Sequence, residues 1–239
     1  MAEEFEGKDF TEAVFWGVDL TNSTLRDVNF TGARMKNVWL VDVDIDGMVD
    51  RLVVNGVDVT AYVNEHDAWY PLRGMMRPTD RAGLSAALEA LDAVWAATIN
   101  RARGLTDSQL HQSVGGEWSF VQTHQHLVFC VDKWFSVPVL GQTTFHSLGL
   151  PNTGSRDFGW EGLDLAAQPT LSEVLAIRDE QAGQLRAFVD SLTTDDITRE
   201  VEVLENGMAP IIECLYTVFE ESFEHHRYAV RDLAQLEPG

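Results

Sequence analysis

Basic residues are scarce in this chain: 17 Lys and Arg stand against 38 Asp and Glu in 239 residues, a formal net charge of -21 at pH 7. Such a surface repels phosphate backbones, and no local basic patch offsets it, so nucleic acid is not an expected partner and the acidity is read as serving solubility. Cysteine is scarcer still. Cys130 and Cys214 are too few for a disulfide scaffold and suggest reduced thiols in a cytoplasmic protein. Long apolar runs are missing too, since nothing approaches the roughly 18 apolar residues of a membrane span. The opening MAEEFEGKDF lacks both the basic patch and the apolar stretch of a secretion signal. The expectation is therefore a soluble, unexported, cytoplasmic protein with no membrane partner. At 45% hydrophobic residues the chain can fill at least one core, and its length suits one large or two small domains.

The first fifty residues carry a period of five. Phe5, Phe10, Phe15, Leu20, Leu25, Phe30, Met35, Leu40 and Ile45 follow one another without a slip, and from residue 13 onward a smaller residue stands two positions before each, as in Ala13, Val18, Ser23 and Val28. A period of five fits neither the 3.6 of a helix nor the 2 of a strand, so neither element buries this set on one face; a solenoid does. The units AVFWG, VDLTN, STLRD, VNFTG and ARMKN resemble the pentapeptide repeat family, over about residues 3–47. That resemblance implies a right-handed, four-sided β-helix at residues 1–50, with large residues stacked inside. At four units per coil the nine units make little more than two coils, a tower about 10 Å tall at strand-like spacing. Residues 1–50 hold eleven Asp and Glu against four Lys and Arg, which has the sign for DNA mimicry, but the tower is too short for that role. A docking or oligomerisation appendage is expected instead, with an exposed coil end or bundle face suited to a homodimer.

Residues 51–78 read as a hairpin and linker. In LVVNGVDV the Asn55-Gly56 pair lies between β-branched residues, a strong hairpin signal, and WYPLRGMMRPTD supplies Pro71, Gly74 and Pro78. Residues 79–239 carry helical punctuation. Thr79 or Asp80 caps a helix with Leu84, Leu88, Leu91 and Trp95 at spacings of three and four. Ser119-x-x-Gln122 and Thr170-x-x-Glu173 are capping boxes, and Pro210 opens a last helix reaching about Leu236. Four long amphipathic helices imply a four-helix bundle, and the connection of about residues 138–169, which includes His146, is long enough to expect a function for it. REVEVLENG suits a brief strand or hairpin.

Histidines mark two of these helices. On the last, the apolar stripe Leu215, Val218, Phe219, Ser222, His226, Ala229 and Leu233 turns His226 inward and leaves His225 at the flank, one turn after Glu221. On the second, His126 shares a face with Gln122 and Cys130, beside the apolar stripe that includes His124. A histidine near a core is commonly a packing residue, but two on separate helices match the way bundles build metal sites. Imidazole suits zinc, nickel, iron or copper, and a nearby Cys130 thiolate would favour zinc.

GEWSFVQTHQHLVFCVDKWF, FHSLGLP and EHHRYAVRDL resemble the DinB-like superfamily over about residues 79–237. That resemblance implies a four-helix bundle whose divalent metal is held by a histidine of the second helix and an H-x-x-x-H pair on the last. Carried onto this chain, it places metal ligands at His126 and His226, and the middle position falls on Ser222, whose hydroxyl is a poor ligand. Water, Glu221 or His146 would then have to complete the set. The resemblance further implies a metal-dependent transferase or hydrolase that uses a low-molecular-weight thiol of the mycothiol type and a small-molecule substrate, with Arg227 or Arg231 as anion partners or simply solvated charges. The alternative is a catalytically degenerate interaction module with a pentapeptide docking surface.

Overall fold

The computed structural model describes residues 4, 5, 7–25, 28–152 and 159–237. The chain divides into two compact units, Met1–Gly47 and Met48–Gly239.

The first unit is a succession of corners. Gly7, Glu12, Gly17, Asn22, Gly32, Asn37 and Asp42 all have φ between 54° and 74°. These positions fall on a period of five, each two residues after a large apolar one. Glycine, asparagine and aspartate tolerate the left-handed region better than other residues, so the repeat writes its own turns. Asp9, Asp19 and Asn29 fix alternate corners by accepting from the backbone N–H of Thr11, Thr21 and Thr31 at 2.8–2.9 Å. No β-strand forms among the described residues of this unit. The expected β-helix is thus not established by strands; what the described residues show is a corner every five residues joined by short extended stretches. The row from Phe5 to Ile45 is about half exposed or more, from 49% at Phe10 to 67% at Ile45.

The second unit opens with the expected hairpin, β1 (Val53–Val54) and β2 (Val57–Asp58), turned by Asn55 and Gly56 at φ 51° and 84°. The stretch anticipated as a linker folds instead, into α1 (Thr60–His66) and α2 (Tyr70–Arg73). Pro71 lies in the first turn of α2, where its missing N–H costs nothing. Trp69, Leu72, Met75 and the fully buried Met76 then pack against the main core.

Four long helices follow: α3 (Arg81–Ala102), α5 (Phe120–Val131), α6 (Leu171–Ser191) and α8 (Ile211–Leu236). A short α4 (Asp107–Leu110) leads into α5, and α7 (Thr194–Thr198) with the antiparallel pair β3 (Glu200–Glu202) and β4 (Met208–Pro210) joins α6 to α8. Asp80, Ser119 and Thr170 cap as their sequences predict, the last two with complete capping boxes. α3 packs on α6 and α8, and α5 packs on the same two helices, which gives a four-sided bundle. Phe135, Phe219 and Phe223 fill its interior. By length and composition α3 is apolar enough to cross a membrane, yet Leu84, Ala87, Leu88, Leu91 and Trp95 on it are buried in this core.

The α5–α6 connection is tied down in both of its described parts, up to residue 152 and from residue 159. Its His146 N–H donates to the buried Asp132 carboxylate at 2.7 Å, Leu150 N–H donates to the Gln125 carbonyl at 3.0 Å, and Phe145 N–H donates to the Glu161 carbonyl at 2.9 Å. Gly162 has φ +100°, and a Cβ there would collide with the Phe145 carbonyl. Gly162→Ala should therefore lower unfolding free energy by at least about 1–2 kcal/mol, from the backbone conformation alone. Urea denaturation tests this; an unchanged midpoint would mean that the connection carries no such constraint.

Candidate metal centre

α5 and α8 place four potential donors together. His126 and Cys130 are four residues apart on α5, and Glu221 and His225 are four apart on α8, so each pair shares one helix face a turn apart. His126 Nε2 lies 3.1 Å from Cys130 Sγ and 3.5 Å from Glu221 Oε2, and His225 Nε2 lies 3.3 Å from the same carboxylate oxygen. Donor atoms of His126, Cys130 and Glu221 all fall within 4.8 Å of one another. The His126 and His225 rings meet edge to face at 4.8 Å, and Trp118, just before the α5 cap, covers both at 4.4 and 5.7 Å. His126 and Cys130 are buried, whereas the Glu221 side chain is 36% exposed, so solvent reaches the group along the α8 side.

The connection sets the imidazole. His126 Nδ1 lies 2.9 Å from the Leu150 carbonyl, which can only accept, so Nδ1 carries the proton and Nε2 presents its lone pair to the group. An imidazole lone pair, a sulfur and a carboxylate then converge, three electron-rich groups that need a cation or a proton between them. Burial pushes the His126 imidazole down, partly offset by Glu221, and pushes the Cys130 thiol well up. Burial acts to raise the Glu221 carboxyl, but hydrogen bonds and charge from the doubly protonated forms of His126 and His225 outweigh it and hold the group well below the usual carboxylate range. Without a metal the cluster is balanced by the Cys130 thiol, whose S–H donates into the His126 lone pair.

The expected pairing of His126 with His226 is not what the fold brings together. His226 is buried, but its Nε2 lies 2.8 Å from Thr98 Oγ1 on α3, and its ring packs between Trp95 and Trp69 at 5.1 and 5.9 Å. Ser222 faces the same way and accepts from Trp95 Nε1 at 3.0 Å. Successive α-helical residues turn by about 100°, so the apolar stripe that carries Ser222 and His226 looks at α3, while the flank carrying Glu221 and His225 looks at α5. The i,i+4 pair that meets His126 is one residue earlier than the Ser222 and His226 positions that the resemblance implied. His146 is exposed and contributes its backbone to Asp132 rather than a ring to the cluster. Arg227 pairs with Glu224, and Arg231 with Glu117 and Asp232.

Residues 90–229 match the family model of the DinB superfamily. The chain belongs to the DinB superfamily. Eight pentapeptide repeats are matched in addition over residues 9–47. No curated protein and no solved structure gave a match. Both family matches agree with the resemblances legible in the sequence. In this DinB-superfamily bundle the histidine of the second long helix, His126, faces Glu221 and His225 rather than Ser222 and His226.

Proposed function

We propose that the bundle holds a divalent metal through His126, Glu221 and His225 and acts as a metal-dependent transferase or hydrolase, with a small thiol or water as nucleophile. The observation that supports it is that His126 Nε2 and His225 Nε2, from two helices, approach one partly exposed Glu221 oxygen at 3.5 and 3.3 Å. The donor set fits such an ion: two imidazoles and an ionised carboxylate suit zinc or nickel, and the Nδ1 bond to Leu150 is the outer contact that orients a ligating histidine. A bound ion there would lower the pKa of a coordinated thiol or water, generating a nucleophile at neutral pH. The remaining work falls to the chain. The Leu150 carbonyl aims His126, Trp118 shields both rings from water, and the exposed edge of Glu221 leaves a path for a small substrate.

Metal analysis of purified protein tests this reading. Wild type and His226→Ala should carry about one zinc or nickel per chain, whereas His126→Ala and Glu221→Ala should lose it, with affinity reduced at least about tenfold. Equal metal content in all four would end the assignment, as would loss in His226→Ala alone. A second reading, a docking module, is favoured by the exposure of the repeat row and of Trp16 and Trp39, at 92% and 93%. In that reading the N-terminal unit is a short β-helix whose open coil ends seat a second copy of the chain.

A further inference from the structure

Cys130 is the donor that neither the sequence motif nor the three-ligand reading uses. It is buried one turn beyond His126 on the same face of α5, with its sulfur 3.1 Å from His126 Nε2. We propose that Cys130 is itself a metal ligand, supplying a buried thiolate that makes the centre selective for zinc and closes the position an incoming thiol would take. The inference rests on the metal reading above and specifies its donor set.

Distances support the placement. With Zn–S near 2.3 Å and Zn–N or Zn–O near 2.0–2.1 Å, tetrahedral angles put neighbouring donors about 3.3–3.6 Å apart. His126 Nε2 stands 3.1 Å from Cys130 Sγ and 3.5 Å from Glu221 Oε2, so both edges are within a few tenths of an ångström of what a zinc ion requires. Charge points the same way. A divalent ion beside His126, which is only 4% exposed, is poorly hydrated, and one carboxylate leaves it with a residual positive charge. Adding one thiolate brings the centre to formal neutrality. On binding, the zinc–sulfur bond forms as the Cys130 S–H bond breaks, and the proton leaves to solvent past the exposed edge of Glu221. No oxidation is involved.

The consequences are chemical. A thiolate donor favours zinc over harder ions such as manganese or magnesium. A neutral centre with two anionic donors is a weaker Lewis acid than one held by imidazoles alone, so an external thiol must displace Cys130 or expand the coordination shell before it is activated. Cys130 thereby sets which nucleophile gains access.

Cobalt substitution of the full chain is the direct test. Cobalt-loaded wild type should show a near-ultraviolet sulfur-to-cobalt charge-transfer band and the strong visible bands of a four-coordinate ion. Cys130→Ser and Cys130→Ala should bind cobalt at least about tenfold more weakly and lose the charge-transfer band, while far-ultraviolet circular dichroism shows them folded. The wild-type spectrum decides the matter even if a variant misfolds. Cobalt bound without the band would overturn the role of Cys130 and leave the three-ligand centre standing, as would a band that persists in both variants. No cobalt binding at all would overturn the centre and this inference together.

Discussion

Trp95→Ala should lower the unfolding free energy by about 3–5 kcal/mol, the range for truncating a buried tryptophan. Trp95 is 4% exposed on α3 and holds the polar interior of the bundle together. Its Nε1–H donates to Ser222, its ring packs against His124 and His226 at 4.7 and 5.1 Å, and the Arg178 guanidinium lies over it at 4.8 Å. Removing the indole leaves a cavity and strips the partly buried Arg178 cation of its aromatic face. Trp95→Phe keeps much of the volume and loses the Ser222 bond, so its cost should be clearly smaller. Urea titrations should show a lower midpoint with an unchanged slope in both variants. A Trp95→Ala cost under about 1 kcal/mol would mean that the interior relaxes around the gap. Because Trp95 touches His226 and Ser222 but no member of the His126 cluster, metal content should survive the phenylalanine substitution, which separates the two histidine groups experimentally.

Much of this architecture was legible because its signals are local. Capping at Asp80, Ser119 and Thr170 depends on a few adjacent residues, and so does the Asn55-Gly56 turn. The five-residue period was equally plain in the large residues. A second track, the Gly, Asn or Asp that recurs two positions later except at Glu12, could also have been read, and it locates the corners that the structure displays. The α1–α2 segment was less legible, since Pro71 and Gly74 signal a break unless it is known that Pro71 occupies a first helical turn and that Trp69 and Met76 have a core to enter.

The cluster of donors around His126 was half legible for a physical reason. Apolar periodicity identifies the face of α8 directed at the packed core, and it rightly turned His226 inward. A binding cluster needs donors where packing thins, at the flank of that stripe, and periodicity alone does not tell which flank meets α5. The choice between Ser222 with His226 and Glu221 with His225 is a rotation of one residue. Cys130 was visible as a neighbour of His126 at i+4, but its approach to Glu221 depends on how α5 and α8 cross.

The interior histidine His124 gives the other large expected effect, in acid. It is fully buried; its Nδ1 accepts from Arg178 Nη1 at 2.6 Å, and Phe120 and Trp95 cover its ring. Burial first, and then the Arg178 charge, hold its imidazole well below the ordinary value of 6.5, while burial also brings the Arg178 guanidinium down to about 10. Below pH 6.5 the unfolded chain takes up a proton at this position that the folded chain refuses. The stabilising contribution of neutral His124 is therefore full above 6.5 and is lost as pH falls, by up to about 1.4 kcal/mol per pH unit until the depressed folded value is reached. His226 is also depressed, by burial above all, and adds in the same direction, so the wild-type slope alone does not isolate His124. His124→Gln does, since glutamine can accept from Arg178 but does not titrate. With chelator present to keep the metal cluster out of the comparison, urea stability measured from pH 7.5 to 5 should fall more steeply for wild type than for His124→Gln. The two curves should converge on acidification. Parallel curves would mean that the folded protein admits a proton at His124, and that the Arg178 pair opens far more readily than its burial implies.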